Sequence, residues 1–198
     1  LHPFGSYTGS VRDACLRWPL TDDKHELRYN SDGLLIEDWL TDLRHDGDGQ
    51  QRRLELLSGA LLARDGTLRH EKLIPAWIIH LLANACGLAM QTQLIGADAQ
   101  PTLRALTREV AAQLLDQLLA ALRAGMQSPL PITRKSAYAW LQAASSDKNT
   151  VAAATLCYGG SAFSPVPGER QEDPCLDRAW PDFATMHEGG FEHWLPLF

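Results

Sequence analysis

The chain has 198 residues, 45% hydrophobic and 21% charged, with a formal charge of −6. That suits one soluble globular domain able to bury roughly two-thirds of its unfolded surface, and it argues against a domain that grips duplex DNA alone, since counterion release rewards basic surfaces. The longest apolar run, IPAWIIHLLANACGLAM, is broken by His80 and Asn84 and is too short and polar to span a bilayer, and no cationic stretch leads into an apolar signal core.

Residues 1–24 hold Pro3, Gly5, Gly9 and Pro19 and read as an irregular lead-in with one helical turn. The chain opens on Leu1 in a loop and reads as a fragment of a longer polypeptide. HELRYN (25–30) is predicted as a short strand, followed by the turn Ser31-Asp32-Gly33. LLIEDWLTDLR (34–44) is predicted as one long strand ending at the polar turn 45–49. RRLELLSGALL (52–62) then returns antiparallel, completing a three-stranded meander. The period changes at Leu73, Trp77, Ile78, Leu81 and Ala85, whose three- and four-residue steps predict a buried helix closed by Gly87 in a left-handed cap. MQTQLIGAD (90–98) is predicted as a strand, with 100–106 returning beside it as an edge.

The remainder is helical. Thr107 caps a predicted helix whose Val110, Leu114, Leu118, Ala121 and Leu122 face inward, with Gly125 ending it. Pro129 and Pro131 force an extended link. The next helix runs through Ala137, Trp140, Leu141 and Ala144, with Tyr138 at the margin of its buried face. Asp147 opens another helix that ends at Gly159-Gly160. After the loop SAFSPVPGERQ, Asp173-Pro174 is an N-cap with proline at the first helical position. FEHWLPLF reads as a true C-terminus, an aromatic helical turn folded onto a surface. The order of strands and helices is compatible with an α/β (α+β) domain with a restriction-endonuclease-like (PD-(D/E)XK-type) core, its central mixed sheet flanked by helices.

Asp38 and Asp42 on one predicted strand and Glu55 on the next resemble the carboxylates with which nucleases of that fold hold magnesium. Such sites read (D/E)-x-K, but here Glu55 is followed by Leu56 and Leu57. The four lysines, Lys24, Lys72, Lys135 and Lys148, all lie off the two strands. A turn centred on residues 47 and 48 places Leu40 near Glu55 and Asp42 opposite Arg53, which predicts an ion pair rather than a metal site. Neither a metal nor a cofactor is expected. HEGGFEH (187–193) misses the zinc-protease pattern because Phe191 stands where the second histidine belongs. His80 reads as a satisfied core histidine. Cys15, Cys86, Cys157 and Cys175 form no close pair and read as buried structural thiols in a reducing compartment. The arginine pair Arg52-Arg53, unique in the chain, marks the hairpin tip 45–53 as a candidate contact for DNA or a partner.

SPLPITRKSAYAWLQAA (128–144), following Arg123-Ala124-Gly125-Met126, resembles the "GM…PLP…K-(S/T)-A-x-A-(W/Y)-L" pattern of the exodeoxyribonuclease V gamma chain, RecC. EDWLTDLR and RRLELLSGALL are similar to that family's strand pair, and HEKLIPAWIIHLLANACG to its "dKL…W…HL…N" helix. CLDRAWPDF and GGFEHWLPLF are similar to its closing segments. The resemblance runs in order over about residues 25–198. It implies a single nuclease-like domain over 25–198, behind the lead-in 1–24, that has lost its chemistry. It also implies a non-catalytic, cytoplasmic bacterial subunit that joins RecB- and RecD-like partners and guides DNA ends and unwound strands. The rival reading is an active magnesium nuclease that borrows a displaced lysine such as Lys72 or Lys135. A third is a stand-alone structural module with no DNA role.

Overall fold

The computed structural model describes residues 4–6, 20–21, 23–45, 48–64, 66–161 and 167–198. The helical turn expected in the lead-in, Cys15, Asp46, Gly47 and the middle of the 161–171 loop lie outside the described residues. The chain forms two compact units, Leu1–Gln117 and Leu118–Phe198. Among the described residues no helix is long and apolar enough to cross a membrane.

The first unit is mixed α/β. Its strands are β1 (Phe4–Ser6), β2 (His25–Ser31), β3 (Leu34–Leu40), β4 (Leu43–His45), β5 (Gln51–Leu56), β6 (Met90–Ile95) and β7 (Pro101–Leu103). Five of them form one sheet in the order β1-β7-β6-β5-β4, with β5 and β6 parallel and the other pairs antiparallel. The parallel pair is joined through helix α1 (Ile74–Ala85), as parallel strands require a crossover. β2 and β3 stand apart as a two-stranded sheet.

The predicted meander is therefore corrected. The expected long strand 34–44 is two strands, because Asp42 adopts φ +60 and breaks the ladder between β3 and β4. Asp is one of the few residues that enters this left-handed region at modest cost. The chain leaves the small sheet and enters the large one at that point. Two other expectations also change. β7 is no edge, since β1 pairs with its outer side, Phe4 opposite Leu103, so the lead-in is not wholly irregular. The strand expected over 52–62 ends at Leu56, after which Leu61 and Leu62 donate backbone N–H groups to the Asp98 carboxylate. Those bonds hold the Asp98 pKa below the usual carboxylate range.

Helix α1 packs as its periodicity predicts. Leu73, Leu81 and Ala85 are buried and Gly87 has φ +89, although Ile78 is exposed. Leu61, Leu73, Ala76, Leu94 and Leu103 form the core, with Leu57, Leu68 and Trp77 packed against it. His80 lies fully buried beside this core, as expected of a satisfied core histidine. Its Nδ1 lies 3.0 Å from Thr92 Oγ1 and its Nε2 3.0 Å from the Arg104 carbonyl. Asn84 extends the network, donating to the His80 carbonyl and accepting from the Leu106 N–H.

The division between the units falls within α2 (Arg108–Gln127). Its buried positions are Ala111, Leu115, Leu119 and Ala121, with Leu114 and Leu118 half-buried and Val110 and Leu122 exposed. The inward stripe is thus rotated from the predicted one, and the helix continues through Gly125.

The second unit is helical: α3 (Arg134–Ser145), α4 (Thr150–Gly159), α5 (Glu169–Glu172), α6 (Pro174–Ala179), α7 (Phe183–Glu188) and α8 (Phe191–Trp194). Ala137, Trp140, Ala154, Tyr158, Phe183, Met186 and Phe191 make its core, and Phe198 packs on it from the terminal turn. Tyr138 is half-buried as expected and meets Phe198 edge-on at 5.4 Å, while Ala144 is exposed rather than buried. Asn149, not Asp147, caps α4 by accepting from the Ala152 N–H at 2.9 Å. Asp173 caps α6 as predicted, accepting from Cys175 N–H at 2.8 Å. The N-terminus of α3 is capped from a distance, since Glu169 accepts from Lys135 N–H, Ser136 N–H and the Ser136 hydroxyl at 2.9–3.0 Å. A carboxylate there satisfies orphan donors and complements the helix dipole. Glu169 is held in place because Gly168 packs on Gly160; a Cβ at Gly168 would lie 2.2 Å from Gly160 N.

Candidate metal and nucleic-acid site

The kink at Thr41-Asp42 opens a cavity of ≈220 Å³, lined by Asp38, Asp42 and Arg53 with Leu27, Leu40 and Leu54. Both aspartates are exposed and make local bonds. Asp38 Oδ1 accepts from the Trp39 N–H at 2.8 Å, and Asp42 Oδ2 from the Thr41 hydroxyl at 3.2 Å.

Glu55 does not join them. In β5 residues 53 and 55 share a face by strand alternation, and Arg53 Nη1 lies 2.6 Å from Glu55 Oε2, both side chains being largely buried. This corrects the expected pairing of Arg53 with Asp42. Leu43 stands opposite Arg53 in the ladder, and Asp42 is off it. Among the described residues no three His, Cys, Asp or Glu side chains come together as a metal site. The cation beside the two aspartates is Arg53, and Glu55, the third carboxylate the sequence offered, is turned to that arginine rather than to them.

The lysine position of a (D/E)-x-K site is Leu57, and it packs against the core of Leu61, Leu73 and Leu94 while its N–H donates to the Ile95 carbonyl at 2.9 Å. Lys72 donates to the Ala60 carbonyl at 2.7 Å. Lys135, in the second unit, pairs with Glu172.

The arginine pair is also placed differently from its expected position. Arg52 and Arg53 lie within β5, hydrogen-bonded between β4 and β6, and not at a projecting tip. Adjacent strand residues point to opposite faces. Arg53 is committed to Glu55, and Arg52 donates to the side chain of Gln91 on β6.

In HEGGFEH, Gly189 and Gly190 separate α7 from α8, so the two histidines share no helix. His187 Nε2 lies 2.9 Å from Glu192 Oε1, and its ring rests on Trp140 and Phe183. The cysteines depart from the buried reading: Cys86 and Cys157 are half-buried and Cys175 is exposed. Partial burial still pushes the Cys86 thiol pKa up.

Two exposed apolar side chains on β3 escaped the sequence reading, Leu35 (43% exposed) and Trp39 (62%). Their signal was present in the alternation of LLIEDWL, which puts Leu35, Glu37 and Trp39 on one face; the meander assumption hid it.

A family model described as the RecC C-terminal domain matches residues 2–145. No curated protein sequence matches the chain. With a mixed sheet, a strand–helix–strand crossover and a matched span covering most of its length, the chain belongs to the RecC C-terminal domain family, whose members serve in RecBCD-type exodeoxyribonuclease V in DNA repair and recombination.

Proposed function

We propose that the chain is a non-catalytic scaffold and interaction domain of a RecC subunit, a degenerate restriction-endonuclease-like domain that works in the cytoplasm. In this reading it contacts RecB- and RecD-like subunits and guides DNA ends and unwound strands through the complex. The observation that carries it is Leu57. An active site of this type needs a lysine there to activate water or steady the phosphate, and a half-buried leucine packed against the apolar core cannot do so. The acid two residues earlier is neutralised by Arg53. The β5–α1–β6 crossover beside antiparallel β4 supports the fold reading. The lysines a displaced site would borrow are already engaged by Ala60 and Glu172.

Arg52 and Arg53 remain the proposed contact in the sheet. Arg52 is the better candidate, because its bond to the neutral Gln91 amide is given up more readily than the ion pair of Arg53 with Glu55. The test is co-expression of the tagged chain with RecB and RecD subunits. Both are expected to co-purify with the chain, and Arg52→Glu is expected to weaken capture. A chain that leaves both subunits behind contradicts the proposal.

A further inference from the structure

Among the described residues, one edge of the β2–β3 hairpin is met by other elements and the other is paired by no strand. Asp32 (φ +46) and Gly33 (φ +80) form a two-residue turn of the primed type, which makes Ser31 and Leu34 the closing hydrogen-bonded pair. By antiparallel alternation residues 34, 36, 38 and 40 bond to β2, and the backbone groups of Leu35, Glu37 and Trp39 point away from it. On the β2 side the outward carbonyl of Arg28 already accepts from Cys86 Sγ at 3.5 Å, and Tyr29 Oη reaches Asp116 on α2 at 2.8 Å. On the β3 side no strand pairs with the outer edge among the described residues. The Trp39 N–H is occupied only by the neighbouring Asp38 carboxylate.

Natural sheets blunt such edges with charged side chains, above all lysine, with proline or with bulges. Over its seven residues β3 has no lysine, proline or glycine; its only charges are Glu37 and Asp38, and Leu35 and Trp39 are exposed on either side of them. Its charges have one sign: Glu37 and Asp38 are acidic, as is Asp42 just beyond its end, and no Lys or Arg lies between Leu34 and Asp42. Glu37 is met only by Arg28 across the hairpin, an exposed pair at 3.0 Å.

We propose that the outer edge of β3 docks one extended segment of a partner protein, added as a third strand, with two adjacent basic residues flanked on both sides by apolar ones. The pattern follows from register. A strand laid on this edge places successive residues beside Leu35, Ile36, Glu37, Asp38 and Trp39, and cross-strand neighbours of opposite charge are favoured while like charges are not. The proposal rests on the interaction-domain reading and names one surface for it.

The experiment uses the full chain and a labelled synthetic peptide, Thr-Val-Val-Lys-Lys-Val-Val-Thr, blocked at both ends, with its Glu-Glu counterpart as control. The Lys-Lys peptide is expected to bind, and the Glu-Glu peptide to bind at least about tenfold more weakly. Glu37→Pro removes an outward N–H while sparing the bonds to β2, and is expected to cut binding about tenfold with circular dichroism unchanged. Glu37→Lys keeps the backbone and is expected to reverse the preference between the two peptides. Absence of peptide binding, an unchanged preference in Glu37→Lys, or a dimer of the parent chain that Glu37→Pro dissolves, each overturns the proposal. Any of these with co-purification of RecB and RecD intact overturns the edge alone and leaves the interaction-domain reading standing.

Discussion

Trp140→Ala is expected to destabilise the second unit by about 3–5 kcal/mol, the range for truncating a large buried aromatic side chain. The indole is 9% exposed, with ring centroids 5.4 Å from His187, 5.5 Å from Phe191 and 6.3 Å from Phe183. It therefore joins α3 to the two short C-terminal helices, neither of which is long enough to be stable alone. Removing it leaves a cavity that Phe183 and Phe191 can fill only by abandoning their own contacts. In urea titration the midpoint should fall by roughly 2 M for an m-value near 2 kcal/mol/M. A variant as stable as the parent that fails to bind partner subunits would instead make Trp140 a contact residue.

The second large effect depends on pH. Burial lowers the His80 pKa from 6.5 to about 4; the bond to the Arg104 carbonyl opposes this, and the nearby Arg53 charge adds to it. The folded state thus favours neutral imidazole, whereas the unfolded chain takes up a proton near 6.5. Stability from this source is complete above pH 6.5 and is lost as pH falls toward 4, by on the order of 3 kcal/mol. Urea titrations of the parent and of His80→Gln at pH 7, 5.5 and 4 isolate it from the carboxylates, which titrate in both. The parent should lose more stability than the variant across that interval. Equal losses would mean that His80 is not held neutral by the fold.

What the sequence disclosed depended on whether the signal was local. The α1 stripe, Gly87, the Asp173-Pro174 cap and the aromatic closing turn each carry their pattern within a few residues, and each is found where it was read, apart from Ile78, which the stripe included and the fold exposes. The failures came from pairings made over distance. Nothing near Arg134 announces that Glu169 will cap α3 from more than thirty residues away. Phe4–Ser6 carries no local sign that it will pair with the outer side of β7, a strand the sequence disclosed but left as an edge. Two misses were legible all the same. Asp42 stands between Leu40 and Leu43 where the predicted strand continued, and Asp tolerates the left-handed backbone that splits the strand there. Likewise, two adjacent arginines in a strand must face opposite ways, so Arg52 and Arg53 could never form one basic patch.

The absence of the lysine at Leu57 was plain in the sequence; the structure adds that this side chain packs against the core and that Glu55 already has a cation. The most direct measurement is magnesium-dependent cleavage of linear duplex DNA by the purified chain, beside Asp38→Ala and Glu55→Ala variants. The account predicts that all three leave the DNA as intact as a chelator control does. Cleavage by the parent that vanishes in either variant would contradict it.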